Sequence, residues 1–338
     1  MMIVMKEGAT DDQVRAVVDR VESVGCSAHI SKGDILTVIG AIGDRDRVAA
    51  LGLEGTPGVD HLVPILKPYK LASAQFRKGE RTVIDVDGRK VGGEHFALIA
   101  GPCTVESRDQ TLEVARVVAE GGGSMLRGGA YKPRTSPYSF QGLGAEGLRL
   151  LQEAKEQTGL PIVTELMDVR DIPDVAEVAD VIQIGARSMQ NYTLLSEAGR
   201  TGIPVLLKRG LSSTLEELLM AAEYVLKEGN EAVMLCERGI RTFEDHTRFT
   251  LPLASVPYLH QKTHLPVLVD PSHGTGKASL VATMARASIA AGADGIIIEV
   301  HPDPEKALSD GFQALTPAGF RQMMAECRKV AAAVGLEM

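Results

Sequence analysis

The sequence predicts an α/β protein in two parts: a small ferredoxin-like βαββαβ domain, followed by a (β/α)8 TIM barrel. Three observations carry this reading. From residue 95 onward, eight short apolar runs alternate with helix-like stretches. The runs are apolar almost without interruption, as in parallel strands buried on both faces. Nearly every run ends in a chemically capable residue, and in (β/α)8 barrels the carboxyl ends of the strands build the active site. A doubly wound open sheet is the alternative that the alternation alone leaves open.

Residues 1–66 set out the smaller domain. MMIVMK reads as a strand. Thr10-Asp-Asp-Gln13 is a capping-box pattern, opening a helix with Val14, Val17, Val18, Val21 and Val24 along one face. CSAHI and ILTVIGAIG predict two strands around a turn at 31–34, followed by a short helix over 44–53 and a last strand over 59–66. The order βαββαβ is the split-βαβ arrangement. No cluster of catalytic side chains falls here, which gives the segment the look of an accessory domain. His29 stands out, either as a strand histidine satisfied by backbone or as a ligand contact.

Residues 67–94 form a bridge. The basic, irregular KPYKLASAQFRKGERT reads as a linker lying on the larger domain. Beyond it, 82–85 and 90–92 flank Asp87-Gly88, the residue pair of a type I′ hairpin turn. Such a hairpin, just before the first barrel strand, is placed to cover an exposed end of a core.

In residues 95–338 the strand candidates are 96–101, 124–129, 161–166, 181–186, 204–210, 232–239, 266–273 and 295–302. The helical stretches between and after them are 107–119, 145–157, 171–178, 191–198, 214–227, 279–291 and 317–334, with the region after the sixth strand least clear. The strand ends carry Cys103, Arg127, Glu165, Arg187, Lys208 with Arg209, Glu237 with Arg238, Asp270 with His273, and Glu299 with His301.

Composition narrows the partners. Hydrophobic residues make up 44% of the chain with no tryptophan, so the core must be aliphatic. No apolar run is long enough to span a bilayer and no secretory leader is visible, so a cytoplasmic protein with no membrane partner is expected. Four scattered cysteines without a CxxC pair indicate reduced thiols. A net charge of −8 disfavours nucleic acid, while leaving room for a locally basic pocket for small anions.

That pocket has an obvious candidate in LRGGAYKPRTSPYSFQGLG, residues 126–144, with Arg127, Lys132 and Arg134 beside Thr135 and Ser136. Clustered cations next to hydroxyls suit phosphate or carboxylate, and a solvated surface loop is the plain alternative. Adding Arg187, Lys208 and Arg238 from other strand ends turns the cluster into a ring of cations that would repel one another without anions to neutralise them. A substrate carrying both phosphate and carboxylate is the sharper reading. Surface salt bridges to Glu165, Asp168 and Glu237 are the duller one.

Cys103, His273, Glu299 and Asp310 offer a thiolate, an imidazole and two carboxylates. No spacing motif joins them. They converge only if a closed barrel makes strands one, seven and eight neighbours, and such mixed donors suit Mn, Fe, Co or Zn. Taken singly, Cys103 reads as a small buried hydrophobe, His273 as a cap or phosphate contact, and Asp310 as a turn residue.

GPCTVES, LRGGAYKPRTSPYSFQGLG, IQIGAR, LLKRG, LCERGIRTFE, VDPSHGTG and EVHPDPEKALSDG together resemble the type I 3-deoxy-D-arabino-heptulosonate 7-phosphate (DAHP) synthases, in the short form with an N-terminal ferredoxin-like, ACT-like regulatory domain. The resemblance covers essentially the whole chain, and KPRTSPYSFQG is its most specific element. It implies a metal-dependent condensation of phosphoenolpyruvate with erythrose 4-phosphate at the head of aromatic amino acid biosynthesis. By motif it assigns Cys103, His273, Glu299 and Asp310 to the divalent metal ion, and Arg127, Lys132, Arg187, Lys208 and Arg238 to phosphoenolpyruvate. Arg134, Thr135 and Ser136 fall to the aldehyde's phosphate. The chemistry of that condensation further leads us to expect Glu165 to position the attacking water and Lys132 or Lys208 to donate a proton. The resemblance also implies feedback inhibition by tyrosine or phenylalanine through His29 and Ser31, and a homotetramer. The neighbouring 3-deoxy-D-manno-octulosonate 8-phosphate synthases, which use arabinose 5-phosphate, show Asn-Arg-Ser-Ser where this chain has Pro133-Arg134-Thr135-Ser136. An amino-acid-sensing protein with a silent barrel is the non-enzyme alternative, and it would need a damaged site.

Overall fold

The structure is a computed structural model that describes every residue except 34, 35, 64–67, 135 and 337, with the backbone alone at 45 and 46. It separates into two compact units, Met1–Arg81 with Lys262–His264, and Thr82–Gln261 with Leu265–Met338.

In the first unit, β1 (Met2–Met5), α1 (Asp11–Ser23), β2 (Ser27–Lys32), β3 (Thr37–Ile42), α2 (Arg45–Ala49) and β4 (Val59–Val63) follow the predicted βαββαβ order. The sheet is antiparallel with strand order β2-β3-β1-β4, the ferredoxin-like arrangement. The capping box forms as read: the Thr10 hydroxyl accepts from the Gln13 amide, and the Gln13 side chain accepts from the Thr10 amide at 3.0 Å. Val14, Val17 and Val21 then bury against Ile3, Met5 and Ile39. The second helix is shorter than the expected 44–53, ending at Ala49 before a separate 3-10 turn at Leu53–Gly55. The last strand is described to Val63, and the rest of its expected span lies outside the described residues. The basic stretch that follows, expected as a linker lying on the larger domain, is grouped in this unit with Lys262–His264 from the later part of the chain, the Ala74 amide donating to the Lys262 carbonyl at 2.9 Å. It packs within the first unit, where Tyr69, Leu71, Ala72 and Phe76 are buried and the Lys70 ammonium donates to the Ala41 carbonyl at 3.1 Å.

The second unit opens with the hairpin β5 (Ile84–Val86) and β6 (Arg89–Val91). Asp87 and Gly88 both take positive φ, 51° and 80°, as a type I′ turn requires. Ile84, Val86 and Val91 are buried among Ile99, Met125, Val163, Val181 and Leu206 from the early parts of the barrel strands. The hairpin therefore plugs the barrel at the end away from the strand termini that carry the polar residues.

The barrel strands are β7 (Ala97–Gly101), β8 (Met125–Arg127), β9 (Ile162–Leu166), β10 (Val181–Ile184), β11 (Val205–Lys208), β12 (Val233–Glu237), β13 (Val267–Val269) and β14 (Gly295–Glu299). Between and after them run α3 (Arg108–Glu120), α4 (Ala145–Thr158), α5 (Ile172–Ala176), α6 (Tyr192–Arg200), α7 (Leu215–Leu226), α8 (Ser255–His260), α9 (Pro271–Thr275), α10 (Ala278–Ala290) and α11 (Pro317–Ala333). The eight strands close. The closing pair, β14 with β7, is parallel in register from Gly295↔Ala97 to Glu299↔Gly101, which excludes the open sheet. Closure makes β13, β14 and β7 neighbours. After β12, where the sequence pattern was least clear, the chain forms an Ile240↔Thr250 bridge before the short α8. No helix among the described residues is long and apolar enough to cross a membrane.

Candidate active site

Cys103 follows β7, Glu299 ends β14, His273 lies on α9 after β13, and Asp310 lies in the loop after β14. Ligand atoms of these four residues, one each, all fall within 4.8 Å of one another. Cys103 Sγ is 3.2 Å from Asp310 Oδ2. Asp310 has φ 50°, so the turn reading holds as well: a left-handed turn position carries the carboxylate into the cluster.

Asp270, one residue past β13, holds this group from behind. It accepts from the His273 amide at 2.8 Å and faces His273 Nδ1 at 2.6 Å, while the Lys208 ammonium donates to it at 2.5 Å. Burial would raise the Asp270 carboxyl, but His273 and Lys208 outweigh it and hold it well below the usual range. Burial pulls His273 down to about 4 despite Asp270 and Glu299, so the imidazole is neutral at neutral pH. Its Nδ1 proton is then committed to Asp270, and the Nε2 lone pair faces Glu299 Oε1 at 3.1 Å. Glu299, held at about 2 by His273, Arg127 and Lys132 against its own burial, is ionised. The His273 tautomer, assigned from the ionised Asp270 at 2.6 Å, leaves Nε2 as a donor atom suited to a metal ion. One thiol, one neutral imidazole and two carboxylates fit a divalent ion with borderline ligand preferences. Cys103 is pushed up to about 12, by burial first and by Glu299 next, so the protein alone keeps its proton there.

The cluster borders a cavity of about 460 Å³. All the predicted cations line it: Arg127, Lys132, Arg134, Arg187, Lys208 and Arg238, together with Ser136 and Glu165. Thr135 lies outside the described residues. Arg127 donates to Glu299 at 2.7 Å. Lys132 lies 2.6 Å from Cys103 Sγ and 3.3 Å from Asp310. Burial opposes the charge on Lys132, yet Cys103, Glu299 and Asp310 raise its pKa and keep it a cation. Glu165 accepts from the Gln183 side-chain amide Nε2 at 3.2 Å. Lys132 reaches inward because its loop folds back on itself, the Lys132 amide donating to the Gln141 carbonyl and the Gly144 amide to that of Ala130, each at 2.9 Å.

Three strand-end candidates are spent elsewhere. Arg209 and Glu237 are buried and paired with each other at 2.6 Å, and Glu237 also accepts from the Gly239 amide. His301 faces Glu106 at 3.3 Å. Conversely, the cavity includes residues that strand-end reasoning missed: Gln183, Arg241, Arg248 and Phe249. Arg248 donates to Asp310 at 3.2 Å and to Gln313 at 3.0 Å, and Gln313 in turn donates to Glu299 at 2.6 Å. The three from 241–249 sit in the stretch whose organisation the sequence left unclear. An arginine-rich segment after a strand end was the available signal.

His29 and Ser31 lie on β2 in the first unit, outside this cavity. Ser31 lines a separate hollow of about 270 Å³ with Val38, Phe76, Arg77 and Glu80. The His29 ring is 5.8 Å from that of Phe76.

A closed parallel barrel whose carboxyl-end loops converge four metal-type donors and a ring of cations on one cavity defines a barrel enzyme acting on small anionic substrates. Residues 78–333 match the DAHP synthetase I family, residues 1–67 match the DAHP synthase ferredoxin-like domain, and the chain belongs to that family. It is 52% identical over its full length to the full length of the phospho-2-dehydro-3-deoxyheptonate aldolase of Thermotoga maritima. It also superposes on the crystal structure of that aldolase (DAHP synthase) with a TM-score of 0.79, covering 99% of this chain and 98% of the other. A more distant relative is the 2-dehydro-3-deoxyphosphooctonate aldolase of Syntrophotalea carbinolica, 35% identical over 72% of this chain and 94% of that protein.

Proposed function

We propose that the chain condenses phosphoenolpyruvate with D-erythrose 4-phosphate to give DAHP and inorganic phosphate, the first step of the shikimate pathway. The observation that carries this reading is that Arg134, Arg187, Arg238 and Arg241 line the cavity with no anionic partner among the described residues, beside the four-donor cluster. Unpaired cations around a cavity of this size suit two phosphorylated ligands.

Arg127, Lys132, Arg187, Lys208 and Arg238 hold phosphoenolpyruvate, and Arg134, Thr135 and Ser136 hold the phosphate of the aldehyde. Cys103, His273, Glu299 and Asp310 hold a divalent ion of the Mn, Fe, Co or Zn class, which supplies Lewis acidity toward the aldehyde carbonyl. Carbon 3 of phosphoenolpyruvate bonds to the aldehyde carbon, and positive charge develops at carbon 2. Water held by Glu165 adds there, and the resulting tetrahedral carbon expels phosphate to leave the 2-keto acid. Lys132, kept cationic, and Lys208 flank the reacting groups as the candidate donors of the proton taken by the new hydroxyl. Fixed charges orient both anions and follow the charge as it shifts.

The octulosonate reading is the rival, since relatives 29% to 35% identical carry that name. The Pro133-Arg134-Thr135-Ser136 element and the full-length match with the heptonate aldolase favour the four-carbon aldehyde. The test is phosphate release from phosphoenolpyruvate with erythrose 4-phosphate and, separately, with arabinose 5-phosphate. Faster turnover with the pentose would overturn the choice.

The ferredoxin-like domain serves regulation in this reading. Tyrosine or phenylalanine binds at His29 and Ser31, beside a hollow that offers an aromatic ring, a cation and a carboxylate, and a cytoplasmic homotetramer is the assembly. His29→Ala with Ser31→Ala should keep kcat and lose aromatic inhibition. Inhibition unchanged in that variant would remove the assignment.

A further inference from the structure

Buried arginines in this barrel are held in two different ways. Arg209 has Glu237 at 2.6 Å, a carbonyl acceptor in Ser213 at 2.8 Å, and no place in the cavity lining. Arg238, at the end of the neighbouring strand β12, is 6% exposed, makes no ion pair among the described residues, and has its Nη1 buried without a hydrogen bond. What it has is a ring. The Arg238 guanidinium carbon lies 4.3 Å from the centre of Phe249, within cation–π range. The Arg248 guanidinium lies 5.7 Å from the same ring.

The local backbone is arranged to put Phe249 there. Its amide donates to the Gly274 carbonyl at 3.0 Å and that of Arg248 to Thr275 at 2.9 Å, which pins the segment along α9. The Ile240↔Thr250 bridge returns the chain beside β12. Gly239 has φ 85°, and a Cβ there would stand 2.7 Å from the Cβ of Phe249, so only glycine at 239 leaves room for the side chain at 249.

We propose that Phe249 is the positioning residue of Arg238: its ring orients the guanidinium without neutralising it, leaving its charge uncommitted for the substrate anion. A carboxylate in its place would orient Arg238 equally well, but the incoming anion would have to displace it. The ring gives direction and desolvation while leaving the charge uncommitted. This inference rests on the reading that Arg238 holds phosphoenolpyruvate.

The experiment is a double-mutant cycle on the full-length, metal-loaded enzyme, measuring phosphoenolpyruvate affinity by calorimetry without aldehyde, and KM and kcat separately by phosphate release. Phe249→Leu keeps the apolar bulk and removes the π face. It should raise Kd and KM for phosphoenolpyruvate about tenfold with kcat within about twofold. Phe249→Tyr should restore the affinity. In an Arg238→Gln background, where affinity is already reduced, Phe249→Leu should add nothing. Affinity unchanged in Phe249→Leu while reduced in Arg238→Gln overturns the role of the ring. Unchanged affinity in Arg238→Gln instead removes the substrate reading on which it rests. Equal losses from Phe249→Leu with and without Arg238 would mark Phe249 as packing only, and would also overturn the proposal.

Discussion

On the side of the mouth where β13, β14 and β7 end, the charged groups are bound to one another. Glu299 takes Arg127 and Gln313, Asp270 takes Lys208 and His273, and Asp310 takes Lys132 and Arg248. On the side where β10 and β12 end, Arg187, Arg238 and Arg241 have no such partner among the described residues, and Arg134 on the loop after β8 joins them. A small divalent ion needs donors fixed in advance at short distances, and mutual pairing fixes them. A substrate anion gains most from cations whose charge is not already neutralised. Of the five assigned to phosphoenolpyruvate, Arg187 and Arg238 are of this kind, while Arg127, Lys132 and Lys208 also serve the carboxylates of the first side. Preorganisation on one side and uncommitted charge on the other are two solutions inside one cavity.

Exhaustive chelation should break the first side entirely. Turnover should fall by more than about 10³-fold and return on adding Mn²⁺, and full activity surviving chelation would dissolve the contrast. The next largest effect separates paired from unpaired arginines. Glu237→Gln strands Arg209 in the interior and should cost about 3–5 kcal/mol by urea denaturation. Arg238→Gln should leave stability nearly unchanged while raising KM for phosphoenolpyruvate about 10- to 100-fold. Stability losses of similar size in both variants would erase the distinction.

Asp270→Asn should lower metal affinity about 10- to 100-fold, read by competition with a chromophoric chelator, because the Nδ1 side of His273 loses its carboxylate. The smallest effect is a proton count. With Cys103 pushed up to about 12 and His273 pulled down to about 4, the free protein near neutral pH holds a proton on the thiol and none on Nε2. Metal uptake must displace the thiol proton, so affinity should rise with pH, about tenfold per unit between pH 6 and 9, with about one proton released per ion. Calorimetry in buffers of different ionisation enthalpy measures it. Zero protons released would mean that Cys103 does not ligate.

Strand periodicity made the barrel legible because parallel strands buried on both faces leave long apolar runs, and because strand ends are where charge is tolerated. The four donors were legible only through closure, since Cys103 and Glu299 are far apart in sequence yet end adjacent strands. Phe249, Arg248 and Gln313 were not legible: they stand in loops without periodicity, and their roles come from what a neighbouring loop presents. Arg209 and Glu237 show the opposite error. A strand-end position says that a charge is near the mouth, and it does not say which way the side chain turns. In the stretch after β4 the basic composition suggested a linker, and the apolar Leu71 and Phe76 are what bury it.

The most direct test of the two-sided mouth is phosphoenolpyruvate binding to the full-length enzyme before and after complete removal of divalent metal, by calorimetry. The account predicts that Kd stays within about tenfold while turnover is lost, because Arg187 and Arg238 need no ion to hold the anion. Binding that disappears together with the metal would contradict it.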